Sequence, residues 1–182
     1  HPEGGASLLV SENEKKAREL FDDMQLFAPD VMYFPRRDLL FEGADVEGNL
    51  LTRQRIQVIR ALIEQENVTI VTSTGGCMDH LLPLRVFEKS ILRIETGGTL
   101  DLTKTAAVLA RMGYERTAQT DAAGQFSIRG DILDIYDLTE EKPWRVELWG
   151  DEVDTIRTFD PDSQRSLGEQ NAISIFPATE WI

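Results

Sequence analysis

Val68-Thr69-Ile70-Val71-Thr72 is a run of five residues that are all branched at Cβ and none charged. Such side chains are stiff and favour the pleated strand, and a strand without polar alternation has no face to give to water. It belongs in a parallel sheet covered on both sides. The residues before it supply the other elements of that sheet. Ser7 to Val10 is a short apolar strand pattern, followed by Ser11 and Glu14 at the Ser-x-x-Glu spacing of a capping box. Ala17, Leu20, Phe21, Met24 and Phe27 then recur at helical spacing until Pro29 stops the helix. Val31 to Phe34 reads as a second strand, Arg36 to Leu51 as a loop without a period, and Arg53 to Glu64 as a second amphipathic helix carrying Ile56, Ile59 and Ile63. Strand, helix, strand, helix, strand in this order predicts an open, mostly parallel α/β sheet with right-handed crossovers.

After Pro83 the pattern changes. Phe87 to Glu95 reads as a strand, and Asp101 to Met112 as a helix with Asp101 as N-cap and Gly113 at its stop. From Gln125 to Phe159 nearly everything is strand, broken by a polar loop over Leu138 to Pro143 and by Gly150-Asp151, a candidate two-residue hairpin turn. This is an antiparallel α+β unit. Ala172 to Phe176 is again an apolar strand pattern, which could return to the first sheet and make the α+β unit an insertion.

A sheet of the first kind often binds nucleotides at a helix N-terminus, so a phosphate loop is the first site to seek. Its G-x-x-x-x-G-K-[ST] pattern is missing from the sequence: Gly4-Gly5 precedes a strand, and Gly75-Gly76 and Gly97-Gly98 lack the lysine at the required offset. Asp151-Glu152-Val153-Asp154 resembles the acidic box of a helicase, but at a hairpin turn it is expected to be solvated turn chemistry. Cys77 and His80 could form half of a zinc site, yet the other histidine is His1, and Cys77 is expected to be a small buried residue. The sequence thus predicts no cofactor, no metal and no catalysis by this segment. The lone cysteine fits a reducing compartment, and no apolar run is long enough to span a membrane, so the expectation is cytoplasmic with no membrane contact. With 32 acidic and 19 basic residues the net charge is −13, an unfavourable field toward DNA that points to a protein partner. The start at His1 without a methionine and the stop at Ile182 suggest a piece of a longer protein.

On the strand Trp144 to Trp149 alternation sends Val146 and Leu148 to one face and Arg145, Glu147 and Trp149 to the other. A two-residue Gly150-Asp151 turn would place Trp149 opposite Glu152, Glu147 opposite Asp154 and Arg145 opposite Ile156, with Thr155 sharing the apolar face. Arginine and tryptophan are the types most enriched at interface hot spots. Two readings stay open: Arg145 and Trp149 contact a partner, or Arg145 pairs with a neighbouring acid and Trp149 lies over the sheet edge. Arg129, beside Gly130, is a further candidate on the adjoining strand.

The runs Gly124 to Tyr136 and Trp144 to Arg157 resemble the module shared by the excinuclease component UvrB and the transcription-repair coupling factor (Mfd). Thr158 to Ser166 and Asn49 to Arg55 are similar to the coupling-factor family in particular. The resemblance implies a degenerate helicase-like, P-loop-NTPase-like parallel-sheet domain, over 1–86 and 160–182, carrying an inserted, mainly antiparallel α+β domain over 87–159. It implies that the inserted domain binds the excinuclease component UvrA through Arg129, Arg145 and Trp149, the last standing where phenylalanine is common. Asp137 replaces a proline frequent at that place, which should alter a loop alone. RNA polymerase and DNA would be reached only by parts of an ATP-dependent translocase that lie outside these residues. Replacing Arg145 with alanine is then expected to abolish or sharply weaken binding and leave the fold intact. The competing expectation is a nucleotide-dependent DNA enzyme in the manner of UvrB.

Overall fold

The computed structural model describes residues 5–37, 46–64 and 67–180. The chain divides into two units, His1–Glu88 and Lys89–Ile182.

The first unit holds β1 (Ser7–Ser11), α1 (Glu14–Gln25), β2 (Val31–Phe34), α2 (Val46–Ile63), β3 (Thr69–Ser73) and α3 (Thr74–Cys77). The β-branched run forms the central strand of a parallel sheet of order β1-β3-β2, as its composition demands. Ala17 and Phe21 of α1 pack with Val31, Tyr33 and Val71 on one face, while Val58 and Ala61 of α2 pack with Phe34, Val68 and Ile70. Beside α2 the sheet keeps an open apolar hollow of about 310 Å³, lined among others by Leu8, Leu62, Ile70 and Leu84.

Several expectations are corrected. The N-cap of α1 is Asn13, whose side chain accepts from Lys16 N–H at 3.0 Å, and not Ser11, which ends β1. Glu14 does not reach back to a cap. Its carboxylate accepts from the Tyr33 hydroxyl, the Ser73 hydroxyl and the Arg36 N–H, so it ties α1 to the ends of β2 and β3. Burial first, and then this carboxylate, push the Tyr33 hydroxyl well above the ordinary tyrosine range. Phe27 lies beyond α1 and is 88% exposed, because the helix ends before the last residue of its apparent stripe. α2 begins at Val46, inside the stretch read as loop; positions 38–45 of that stretch lie outside the described residues. Cys77 is exposed instead of buried, since it closes the one-turn α3.

α4 (Leu84–Lys89) leads out of the first unit and occupies the start of a segment read as strand. Pro83 accounts for the difference: its carbonyl accepts from Val86 and Phe87 N–H, and a proline at a helix start loses nothing by lacking its own N–H. The strand is shorter, β4 (Leu92–Glu95).

The second unit continues with α5 (Leu102–Arg111), β5 (Glu115–Arg116), β6 (Gln125–Arg129), β7 (Ile132–Ile135), β8 (Trp144–Trp149), β9 (Glu152–Phe159), β10 (Ser166–Gln170) and β11 (Ala172–Ile175). Asp101 caps α5 as expected, accepting from Thr103 and Lys104 N–H, and hydrogen bonding to Lys104 first of all holds its carboxyl below the usual range. Six strands form one sheet of order β10-β9-β8-β7-β6-β5. One of its faces contributes Phe126, Leu133, Ile135, Val146, Leu148, Val153 and Ile156 to a core completed by Leu109, Met112 and Tyr114.

The tail does not return to the first sheet. β11 pairs antiparallel with β4, and Ile173 and Ile175 are buried in the second unit's core, where their apolar side chains find a partner strand. Asp137, a buried carboxylate, fixes this tail by accepting from Phe176 N–H at 2.7 Å. The second unit therefore runs from Lys89 through the described tail, and the expected assignment of 160–182 to the first unit is replaced.

Candidate functional site

The sheet face away from the core is where the candidate residues stand. Successive side chains of a strand alternate, and residues paired across strands share a face. The pairing Ser127↔Asp134↔Arg145↔Arg157↔Glu169 sets one row across five strands, and Arg129↔Ile132↔Glu147↔Thr155 sets the next. Trp149 pairs with Glu152 beside the Gly150 turn, as the hairpin reading predicts. Further along the hairpin the register departs from that reading. A bulge between Val153 and Thr155 leaves Asp154 unpaired, so Ile156 faces Val146 in the core and Thr155 moves to the outer face.

All three candidates lie on this outer face, but in different states. Trp149 is 85% exposed. The Arg129 side chain is 45% exposed, whereas that of Arg145 is 13% exposed. What separates the two arginines is Asp134, a carboxylate with no exposure at all. Arg145 grips it sideways, Nε to Oδ1 at 2.7 Å and an Nη to Oδ2 at 2.8 Å, and Arg129 reaches Oδ2 at 2.7 Å. A fork-to-fork pair of this kind is short, directional and strong. The Arg145 guanidinium also lies over the buried Phe159 ring, 4.4 Å from its centre, and donates to the carbonyl and side-chain oxygens of Gln164. Its hydrogen bonds to Asp134 hold its proton even more tightly than in an ordinary arginine, against the opposing effect of burial.

Gln164 reaches that position at a backbone cost. Its φ is +60°, a region few side chains other than glycine adopt readily. The turn that holds it is pinned by Asp160, whose carboxylate accepts from the N–H and hydroxyl of Ser163 and is thereby kept below the usual range. Across the row Arg145 faces Arg157, and Glu147 and Glu169 lie 3.7 and 3.1 Å from Arg157, offsetting the like charge.

The hairpin tip that carries Trp149 is braced from a second side. Gly97 N–H donates to Val153 O, Val153 N–H to Gly98 O and Leu100 N–H to Asp151 O, each at 2.8 Å. Gly97 takes φ +79° to make this approach.

Alternation alone puts Arg145 and Trp149 on one face; that Arg129 shares it follows from the strand register, and Asp134 and Gln164, which decide what the arginines can do, were not among the candidates. The one signal was Asp134 itself, an acid set between Leu133 and Ile135 on the outward beat of an apolar strand. Gln164 gave none. Among the described residues no group of three or more His, Cys, Asp or Glu is arranged to hold a metal ion.

An open antiparallel face carrying one locked arginine, one half-exposed arginine and a projecting tryptophan, backed by a packed helix, has the make-up of an interaction module. Residues 92–181 match the family model of the UvrB interaction domain. Over 176 residues, 96% of the chain, it is 36% identical to the transcription-repair-coupling factor of Bacillus subtilis, of which it covers 15%. It is also 29% identical over 195 residues to the UvrABC system protein B of Thermosipho africanus, covering 98% of the chain and 29% of that protein. The coupling factor of Staphylococcus aureus is 29% identical over 177 residues, again with 15% of its length covered. The chain therefore spans less than a third of these relatives.

Proposed function

We propose that this chain is the docking part of a transcription-repair coupling factor and recruits the excinuclease component UvrA to sites of nucleotide excision repair through Arg129, Arg145 and Trp149. The observation that carries this reading is the pairing of an exposed tryptophan with a half-exposed, oriented arginine on one solvent-facing sheet. Such a surface offers a rigid apolar anchor beside a charged donor fork, the combination that dominates binding energy at protein interfaces. No catalysis is assigned to these residues. The first unit, a three-stranded parallel sheet, is assigned as the degenerate nucleotide-binding-type domain, and the ATP-dependent translocation, DNA contact and RNA polymerase contact belong to other parts of a cytoplasmic parent.

The test is titration calorimetry of the 182-residue chain with UvrA. Binding is expected, with Arg129→Ala and Trp149→Ala each weakening it roughly tenfold or more, Trp149→Ala at an unchanged melting temperature. Undiminished affinity in both variants overturns the site. The likeness to a UvrABC system protein B across 98% of the chain keeps a second reading in view, a nucleotide-dependent DNA enzyme. For that reading the parent must hydrolyse ATP on damaged DNA without RNA polymerase.

A further inference from the structure

Each guanidinium has five N–H donors. Arg145 makes four donor contacts, two to Asp134 and two to Gln164, and its guanidinium carbon lies over the Phe159 ring. Arg129 makes one, to the same carboxylate, and keeps nearly half of its side-chain surface open. Asp134 is shared between an arginine that is locked and an arginine that is not. Its own placement is fixed by the β7 ladder, by its buried neighbours Leu133 and Ile135, and by Thr120, whose hydroxyl donates to its carbonyl.

A surface arginine samples many rotamers, and immobilising it on binding costs entropy. One hydrogen bond to a carboxylate that cannot itself move removes much of that freedom beforehand. We infer that Asp134 is the positioning residue of the docking face. Held by Arg145, it aims the Arg129 guanidinium, so that Arg129 and Trp149 meet the partner while Arg145 acts from beneath. Two guanidiniums around one carboxylate also leave a single net positive charge. The partner surface that fits is an acceptor oxygen opposite Arg129 beside an apolar pocket for the indole, not a dense acidic cluster.

This inference rests on the proposed partner, so its test is a double-mutant cycle in the 182-residue chain titrated with UvrA. Asp134→Asn keeps the shape but turns one acceptor into a donor facing a guanidinium. It is expected to weaken binding roughly tenfold in the unmodified chain, and by less than about twofold when Arg129 is already alanine. An equal loss in both backgrounds, or no loss in the first, overturns the positioning role and leaves the partner assignment standing. Absence of binding by the unmodified chain overturns the partner assignment and this inference with it. Should Asp134→Asn lose its cooperative thermal transition, nitrogen-15 spectra of the arginine side chains in the unmodified chain decide. Hindered rotation and resolved Nη signals are expected for Arg129, and averaged signals like those of a solvated arginine overturn the inference.

Discussion

Arg145 and Arg129 carry the same group on the same sheet face, and their burial and bonding partners separate their work. Arg145 has spent its donors on Asp134 and Gln164, and removing it would strand a carboxylate that has no access to water. Breaking a buried pair by deleting one partner costs about 3–5 kcal/mol, and Arg129, still bonded to Oδ2, offsets part of this. Arg145→Ala is therefore expected to lower stability by about 3 kcal/mol in chemical denaturation, in contrast to the intact fold that the sequence suggests. Loss of partner binding in that variant would by itself not separate contact from collapse. Trp149, by contrast, projects into solvent, and its removal leaves no cavity behind. The outward face of Arg145 and Trp149 was legible because strand alternation and a glycine turn suffice to assign a face, whereas Arg129 was joined to them only through the family resemblance. Their division of labour was not legible, since it depends on which acid lies across from Arg145 in three dimensions, and Asp134 is eleven residues away.

Elements were read correctly where one period ran unbroken and misread where two signals competed. The β-branched run and the α5 cap were clear. The strand read from Phe87 to Glu95 loses its first residues to α4, because Pro83 starts a helical turn that runs to Lys89 and buries Phe87 while leaving Val86 41% exposed. The β9 bulge is invisible to an alternation count because a single unpaired Asp154 shifts every later residue to the opposite face. Ends of elements are set with similar economy. Gly113, just past α5, has φ +90°, and a Cβ there would lie 2.8 Å from the Thr179 methyl. Gly113→Ala is expected to destabilise the chain by about 1–3 kcal/mol, read as a lowered denaturation midpoint. A midpoint equal to the parent's would mean that the 176–180 segment yields without cost.

At the scale of the whole molecule each unit carries its own core. The second draws on α5, on strands of its large sheet and on the β4–β11 pair, all within Lys89–Ile182. Residues 89–182 expressed alone are expected to give a cooperative melt in circular dichroism; a broad, featureless melt would show that this core is incomplete. The two-unit organisation was legible from the change of pattern near Pro83. The destination of the tail was not, because an apolar strand carries no mark of which sheet it will join. The large sheet ends at β10, every residue of which is exposed, Leu167 by 53%. A flat edge of that kind would recruit another copy's backbone and grow into fibres. Here the ladder slips between Ser166 and Glu169, and Glu169 sets a carboxylate on the strand just past the slip. An incoming strand would meet an out-of-register selvedge studded with the Glu169–Arg157 ion pair, a poor template for polymerisation.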